Sequence, residues 1–220
     1  MGIESKHPRY KDKEVQWARC RDTYDGEDAI KDKRTEYLPK LSKQSDSSYA
    51  AYMKRASFYN TVKRTVHGLA GAVMRIDPII EDVPEDWQKD ITTTGMSIND
   101  FIYYMLAEQL LTGRQGVLVE HDGSRPYLVG YPTEQMTNWL DDRNVLMEQY
   151  REINPDDMYD STYETQYREL LVEENVYTVR IWRKSKGKWV IYDEIIPSNR
   201  GRGLESIPFV PLSVDGFHMN

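Results

Sequence analysis

The hydrophobic periodicity of this chain changes once, at the glycines Gly113 and Gly116. Before them, apolar residues recur at three- and four-residue intervals, which is the spacing of amphipathic helices. After them, short apolar runs alternate with turn signatures, which is typical of strands. Because helical and strand segments are segregated along the chain, the sequence predicts an α+β fold in which an N-terminal helical layer packs on an antiparallel β meander.

The helical half is predicted to hold two main helices. The first covers residues 49–75 and can be capped by Ser47 or Ser48. The second begins at Ser97 and ends at Gly113, because a serine before an apolar run caps a helix and a glycine ends one. Residues 77–90 contain two prolines and are predicted to form a loop or a single turn between the helices.

The strand half is predicted to start with a hairpin over 117–119 and 127–131. Further strands are expected where β-branched and aromatic residues cluster between turn residues, over 145–153, 166–173, 176–183, 189–195 and 208–214. Two polar segments, 154–165 and 198–203, are predicted to be loops. We therefore expect three parts, with an arm containing one short helix near 13–22 over residues 1–48, a helical part over 49–113 and a β-rich part over 114–220.

The charge is distributed unevenly along the chain. Residues 1–65 carry 15 basic and 10 acidic side chains, whereas residues 76–175 carry 6 basic and 22 acidic ones, so the first segment is +5 and the second is −16. Docking onto nucleic-acid phosphates depends on a basic surface. The acidic middle is therefore not expected to grip DNA.

The sequence predicts neither membrane insertion nor disulfide chemistry. No segment has the roughly 20 consecutive apolar residues that a bilayer span needs, and the first ten residues lack the apolar core of a signal peptide. The single cysteine, Cys20, excludes an intramolecular disulfide and a cysteine-cluster metal site, and it is interpreted as a structural thiol.

A search for reactive groups assigns no catalytic, cofactor-binding or metal-binding residue and predicts no cofactor. The four histidines, at positions 7, 67, 121 and 218, lie far apart and lack the short spacings of metal ligands. Glu120, His121 and Asp122 could form an acid–base pair or a carboxylate clamp, but a solvated hairpin end is the favoured interpretation. The other carboxylate clusters, at 81–82, 85–86, 141–142 and 156–157, fall in predicted loops.

Two further patterns have ordinary structural interpretations. Gly68 and Gly71 match no phosphate-binding loop and are expected to allow close helix packing. Basic residues alternate with Trp182 and Trp189, which could form a base-stacking platform, although a strand pair with one core face and one charged face explains them better.

In amino-acid sequence, residues 10–212 resemble the portal proteins of tailed phages and prophages. Nine elements in the order of that family carry the resemblance, at 17–22 with Gly26, 36–39, 49–60, 65–73, 95–101, 111–119, 126–131, 138–139 and 207–211. The chain departs from the family at His121-Asp122, where an acidic residue and a proline are more common, and in the acidic insertion 154–165.

The resemblance implies a non-enzymatic structural subunit. These residues would form the wing region, with the stem, clip and crown encoded after Asn220. Such subunits form a homo-oligomeric ring, usually a dodecamer, at one capsid vertex of the virion, after assembly in the host cytoplasm. The implied partners are the major capsid or scaffold protein, the large terminase subunit, a head–tail adaptor, and double-stranded DNA that passes without sequence-specific binding.

Three alternatives remain open at the level of sequence. The chain could be a different oligomeric virion or adaptor protein. It could be a metal-dependent phosphodiesterase that binds a divalent ion through two or more of Glu120, Asp122, Asp141 and Asp142. It could also be a single-strand nucleic-acid module that uses Trp182 and Trp189.

Overall fold

The structure is a computed structural model that describes residues 2–154, 157–199 and 201–214. It has an α+β fold, and the chain divides into two compact units, one formed by Met1–Glu14 with Arg114–Asn220 and the other by Val15–Gly113. We call the first the β unit and the second the helical unit. None of the described helices is long and apolar enough to cross a membrane.

The helices precede the strands along the chain, as the change in periodicity predicts. They are α1 (Pro8–Asp25), α2 (Glu27–Asp32), α3 (Asp46–Arg55), α4 (Thr61–Val73), α5 (Glu85–Lys89) and α6 (Ile98–Thr112), with a 3-10 turn at Arg34–Glu36. The α6 prediction is confirmed, since the Ser97 side chain accepts from the Asp100 amide and Gly113 is left-handed at φ 74°. The short α5 lies within 77–90, the segment for which a loop or a single turn is predicted.

The single helix predicted over 49–75 is wrong, because the structure divides that segment into α3 and α4. Ala56 leaves the helical conformation with ψ 131°, and the amide of Phe58 donates to Glu27 instead of continuing a helix. Asn60 then starts α4 by accepting from the amide of Lys63. Contacts distant in sequence therefore override the helical periodicity.

The N-terminal segment is more helical than the sequence indicates. One short helix was expected near residues 13–22, whereas α1 has 18 residues and starts at Pro8, a position where proline is well tolerated. Helix α2 and the 3-10 turn follow before residue 37. The assignment of residues 1–48, 49–113 and 114–220 to an arm and two wing parts stays a prediction.

The strands form two main antiparallel sheets. They are β1 (Arg114–His121), β2 (Pro126–Pro132), β3 (Met136–Leu140), β4 (Arg143–Asn154), β5 (Asp157–Glu173), β6 (Val176–Ser185), β7 (Lys188–Ile195), β8 (Ser198–Asn199), β9 (Arg202–Gly203) and β10 (Phe209–Ser213). The smaller sheet has the order β10-β1-β2 and the larger one β3-β4-β5-β6-β7, with β8 and β9 as a separate pair.

The meander prediction holds for the larger sheet, whose neighbours are consecutive in sequence. It fails for the last strand, because β10 returns to pair with β1, with Phe209 opposite Leu118. The two loop predictions are also corrected. Residues 157–165 belong to β5: residues 161–165 pair with 149–153 of β4, and Asp157 pairs with Asn154 after a register shift. Strands β8 and β9 lie within 198–203. Arg200 and residues 155–156 lie outside the described residues.

The core of the β unit lies between its two sheets. It contains apolar residues from β1, β2, β3, β4, β5, β6 and β10, namely Leu118, Tyr131, Met136, Leu146, Leu170, Tyr177, Val179, Ile181 and Phe209. The helical unit has a smaller buried cluster of Val66, Ala107 and Leu111, against which Cys20, Tyr24 and Val62 pack. Cys20 is thus a packing residue, as predicted.

Candidate functional site

In the helical unit, polar contacts join segments that are distant in sequence. The hydroxyl of Tyr37 donates to Asp22 Oδ2 at 2.7 Å, and the hydroxyl of Tyr49 donates to the carbonyl of Leu38 at 2.9 Å. Burial and the Asp22 carboxylate raise the pKa of Tyr37 to about 12, so this donor stays protonated at neutral pH. These residues come from three of the elements that carry the portal resemblance.

A second junction in this unit connects Gly26 and Asn60. The Asn60 amide donates to the Tyr24 carbonyl at 2.7 Å while its oxygen caps α4. Gly26 has φ 102°, a conformation that favours glycine. A Cβ on Gly26 would lie 2.9 Å from the Asn60 side-chain nitrogen, so a larger residue would disturb the junction.

His67 lies between two tyrosines of the helical unit. Its Nε2 is 2.9 Å from the Tyr24 hydroxyl and its Nδ1 is 2.7 Å from the Tyr103 hydroxyl. A neutral imidazole has one donor and one acceptor nitrogen, so both hydroxyls can be satisfied at once. Burial raises the pKa of Tyr24, so Tyr24 stays a neutral partner. His67 is therefore a half-buried residue that connects the two tyrosines.

In the β unit, Gly116 of β1 lies against the ring of Phe209 of β10. A Cβ at Gly116 would come within 2.2 Å of Phe209 Cζ, a separation that atoms do not tolerate. Tyr131 of β2 meets the same ring edge-on, with 6.1 Å between centroids. The absence of a side chain at residue 116 is what allows the Phe209 ring to fill this part of the core.

Arg114, at the start of β1, is buried in the β unit. Its Nη1 donates to the Thr133 side chain at 3.2 Å and to the Met136 carbonyl at 3.1 Å, and its guanidinium lies 4.3 Å from the Trp139 ring centroid. His7 stacks on that indole at 3.9 Å. Burial lowers the pKa of Arg114 to about 9, so the guanidinium stays charged at neutral pH. Arg114 therefore connects the start of β1 to Thr133, Met136 and Trp139 inside the β unit.

A polar network beside the β-unit core is centred on Arg168. The Arg168 Nε donates to Glu148 at 2.7 Å, and its Nη1 contacts Glu120. Tyr131 and Tyr127 complete the network by donating to Glu148 at 2.6 Å and to Glu120 at 2.8 Å. Burial alone would lower the pKa of Arg168, but the two carboxylates outweigh it and raise that pKa.

The hairpin-end residues Glu120, His121 and Asp122 do not form a reactive cluster. Glu120 is engaged by Arg168, and His121 Nδ1 accepts from the amide of Gly123 at 2.9 Å. Asp122 accepts from the amides of Ser124 and Arg125, at 2.7 and 2.8 Å, and these hydrogen bonds lower its pKa to about 2. The solvated hairpin end favoured by the sequence fits this geometry.

The other carboxylate clusters, as far as the structure describes them, contribute to no group of three or more. No group of three or more His, Cys, Asp or Glu side chains that could hold a metal ion occurs within the part of the chain that the structure describes. Asp141 and Asp142 lie in the turn between β3 and β4, where the Asp142 carbonyl accepts from the Val172 amide. Asp156 and His218 lie outside the described residues.

The basic and aromatic residues of β6 and β7 are engaged with neighbours on the larger sheet. Arg183 lies between the rings of Tyr150 and Tyr192, 4.0 and 3.9 Å from their centroids. The Trp182 indole nitrogen donates to Glu169 at 2.8 Å, and that of Trp189 donates to Glu4 at 2.6 Å. These contacts fix the Arg183 guanidinium and the N–H edge of each indole.

One exposed surface of the β unit is the projecting end of the β4–β5 hairpin, residues 150–154 and 157–164, which we call the ribbon. Its two strands pair with each other from Tyr150 opposite Glu164 onward. Strand β3 pairs with β4 only up to Leu146, and β6 pairs with β5 only from Tyr167, so no other described strand pairs with the ribbon. It carries the exposed apolar residues Ile153, Tyr159 and Tyr163.

The helical unit exposes one face of α4, formed by Arg64, Thr65, Gly68, Leu69, Ala72 and Val73, which we call the α4 face. Leu69 is 50% exposed and Val73 is 61% exposed. The expectation that Gly68 and Gly71 allow close helix packing is wrong, because a Cβ built on either residue meets no atom within 4 Å. The opposite side of α4 provides the buried Val66 and Ala70.

Comparison with known proteins adds no relative to this description, since no family model and no curated protein matches the chain.

Proposed function

We propose that the chain is the wing part of a portal-ring subunit at the packaging vertex of a tailed-phage capsid. In this role it takes part in no hydrolysis and acts through its shape and its contacts. The ring lets DNA enter and leave the capsid and provides the docking surface for the large terminase subunit and the head–tail adaptor. The resemblance of nine ordered sequence elements is the starting point of the proposal.

The observation that carries the proposal is that residues of these elements contact one another within each unit, half-buried in the helical unit and buried in the β unit. Tyr37 binds Asp22, and Asn60 binds the backbone at Tyr24, within the helical unit. In the β unit, Gly116 lies against Phe209, and the Arg114 guanidinium lies over the Trp139 ring. Contacts of this kind hold a scaffold together, whereas catalytic residues converge on a pocket.

The distribution of charge is compatible with a conduit. The acidic middle segment, residues 76–175 with a net charge of −16, opposes attachment to phosphates. A surface of low affinity for DNA lets the polymer move past without being held. This argument supports a role in passing DNA and opposes one in reading it.

Negative-stain imaging and native mass spectrometry of the protein purified at its natural full length test the proposal. A closed ring with a central hole, with a mass that is an integer multiple of the subunit mass, is the expected result. A species that remains monomeric or dimeric at high concentration would contradict the portal role and favour an adaptor or an enzyme. Pull-down of the ring with the large terminase subunit then tests the docking role.

A further inference from the structure

The β unit is assembled from two separate pieces of the chain. Its N-terminal piece, which we define as residues 2–14, is separated from the rest of the unit by the whole helical unit, Val15–Gly113. The piece consists of the segment 2–7 and the first turns of α1, and α1 continues without a break to Asp25 in the helical unit. The N-terminal piece is therefore connected to the rest of the β unit only through the helical unit.

The N-terminal piece binds to β3, an edge strand of the larger sheet. The His7 amide donates to the Thr137 carbonyl at 3.0 Å, and the Asn138 side-chain amide donates to the Ser5 carbonyl at 2.7 Å. The His7 ring stacks on Trp139 of the same strand. An edge strand that is left uncovered is open to pairing with another chain, so this piece protects β3.

Two further contacts anchor the N-terminal piece. Tyr10 is only 3% exposed, and its hydroxyl donates to the Glu134 carbonyl at 2.9 Å. On β7, the Trp189 indole nitrogen donates to Glu4 at 2.6 Å. Because the piece supplies a buried aromatic side chain and partners for polar groups, the β unit is complete only when an N-terminal piece occupies this surface.

The connection between the helical unit and β1 is one residue long. Helix α6 ends at Thr112 and β1 begins at Arg114, with Gly113 in the left-handed conformation between them. Short connections favour the exchange of an element between identical chains. Exchange forms the same contacts of the N-terminal piece in another copy, so the balance depends mainly on how close a second copy lies.

We infer that the N-terminal piece of one copy docks on the β unit of a second copy of this chain. The partner copy then supplies Glu4, Ser5, His7 and Tyr10 to the surface formed by β3, β7 and the turn before β3. The inference goes beyond the portal role, because any closed assembly of copies can use this exchange. In a ring the exchange runs from each subunit to the next, as a heterologous contact that leaves no piece unpaired.

Dilution of a cross-linkable copy tests the exchange directly. In a Cys20→Ala background, Glu4→Cys with Trp189→Cys on one chain can be linked by a short bismaleimide, because the two native side chains are in contact. This chain is co-expressed with an excess of full-length copies that contain no cysteine. If the pieces are exchanged, linking falls in proportion to the dilution. A piece that stays on its own chain is linked within that chain at any dilution.

Val190→Cys in place of Trp189→Cys is the matched control. Successive residues of a strand point to opposite faces, so Val190 lies on the face of β7 opposite to Trp189, and it is 42% exposed. The control should remain unlinked at every dilution. It shows that linking reports the docked piece and not a chance encounter.

The substitution His7→Ala gives an independent measurement when Glu4→Cys and Trp189→Cys are placed on different co-expressed copies. In the Glu4→Cys copy it should lower the yield of linked pairs by about threefold, because the ring stacked on Trp139 is lost. In the Trp189→Cys copy it should raise the yield, because the piece of that copy competes less well for the surface. His7→Phe, which keeps a planar ring, should restore the yield in the first case. Circular dichroism checks that each variant is folded.

The outcomes separate the exchange from the portal role. If linking does not fall on dilution, each piece stays on its own chain and the inference is overturned, whether or not rings form. If His7→Ala lowers the yield in both copies, it acts through general destabilisation, which also contradicts the exchange. Linking that falls on dilution, with opposite effects of His7→Ala in the two copies, supports it. Imaging of the same samples is independent, since exchange without a ring would contradict the portal role alone.

Discussion

The ring of Phe209 occupies the space that a side chain on Gly116 would need, with 2.2 Å between Phe209 Cζ and the position of a Cβ. The two residues lie on the paired strands β1 and β10, and Phe209 is buried in the core of the β unit. We expect Gly116→Ala to destabilise the protein by about 1–3 kcal/mol through overpacking. Chemical denaturation monitored by tryptophan fluorescence measures this change.

Two comparisons make the Gly116 prediction specific. Adding Phe209→Leu to Gly116→Ala should restore part of the lost stability, because the smaller side chain makes room for the new methyl group. Gly71→Ala should instead stabilise the protein by about 0.5–1 kcal/mol, because Gly71 is in helix α4 with open space around it. If both glycine variants lower stability equally, the packing argument for Gly116 is wrong.

Arg168 is the one cation that contacts both Glu148 and Glu120 among the described residues. Its replacement by methionine would leave two mostly buried carboxylates without that partner, so we expect a loss of roughly 3 kcal/mol in the free energy of unfolding. Arg180→Met is the matched control, since its partners Glu173 and Glu194 are about half exposed. The control should cost less than about 1 kcal/mol. Equal losses would contradict the central role of Arg168.

The lowered pKa of Asp122 predicts a specific dependence of protein stability on pH. Its pKa is about 2 in the folded protein, lowered by hydrogen bonds from Arg125 and Ser124, and about 3.9 in an unfolded chain. A depressed pKa contributes stability that is present above pH ~4 and is lost as the pH falls towards 2. Asp122→Asn should therefore be less stable than the parent at pH 7 and equally stable near pH 2.

Urea denaturation of both proteins at the two pH values measures the Asp122 contribution. Asp122→Ala, which also removes the accepting oxygen, should remain less stable than Asp122→Asn at either pH. A difference between the parent and Asp122→Asn that does not change with pH would show that the carboxylate charge has no part in stabilising the turn.

Calorimetry with manganese tests the phosphodiesterase alternative. We expect no binding heat, because Glu120 is held by Arg168 and Asp122 by its own turn, so neither is directed at a shared ion. Saturable binding that disappears in the Glu120→Ala and Asp122→Ala variants would contradict this expectation. Such a result would favour an enzyme over the portal subunit.

Oligonucleotide titration tests the nucleic-acid alternative. Tryptophan fluorescence should stay unchanged on addition of single-stranded DNA at low salt, because the indole nitrogens of Trp182 and Trp189 bind Glu169 and Glu4 and Arg183 is held between two tyrosines. Quenching that weakens steeply with salt, and that is lost in Trp189→Phe, would support a stacking platform instead.

Local chemistry was sufficient to predict several elements of the fold from the sequence. Ser97 and Gly113 delimit α6 because a hydroxyl cap and a left-handed glycine act within one helical turn. The turns at Glu174-Asn175 and Lys186-Gly187 have positive φ at both residues, which is what two-residue hairpin turns require. The strands that these turns connect were therefore correctly placed in an antiparallel meander from the sequence.

Contacts between distant residues decided the rest. The break between α3 and α4 depends on Glu27 binding the Phe58 amide and on Asn60 binding at Tyr24, and helical periodicity contains no information about either partner. The sequence of 157–165 predicts a polar loop, because its composition gives no sign that this segment pairs with β4. Periodicity and turn residues thus determined which local elements form. Hydrogen bonds and packing between distant segments, as at Gly116 and Phe209, decided where those elements break, extend and meet.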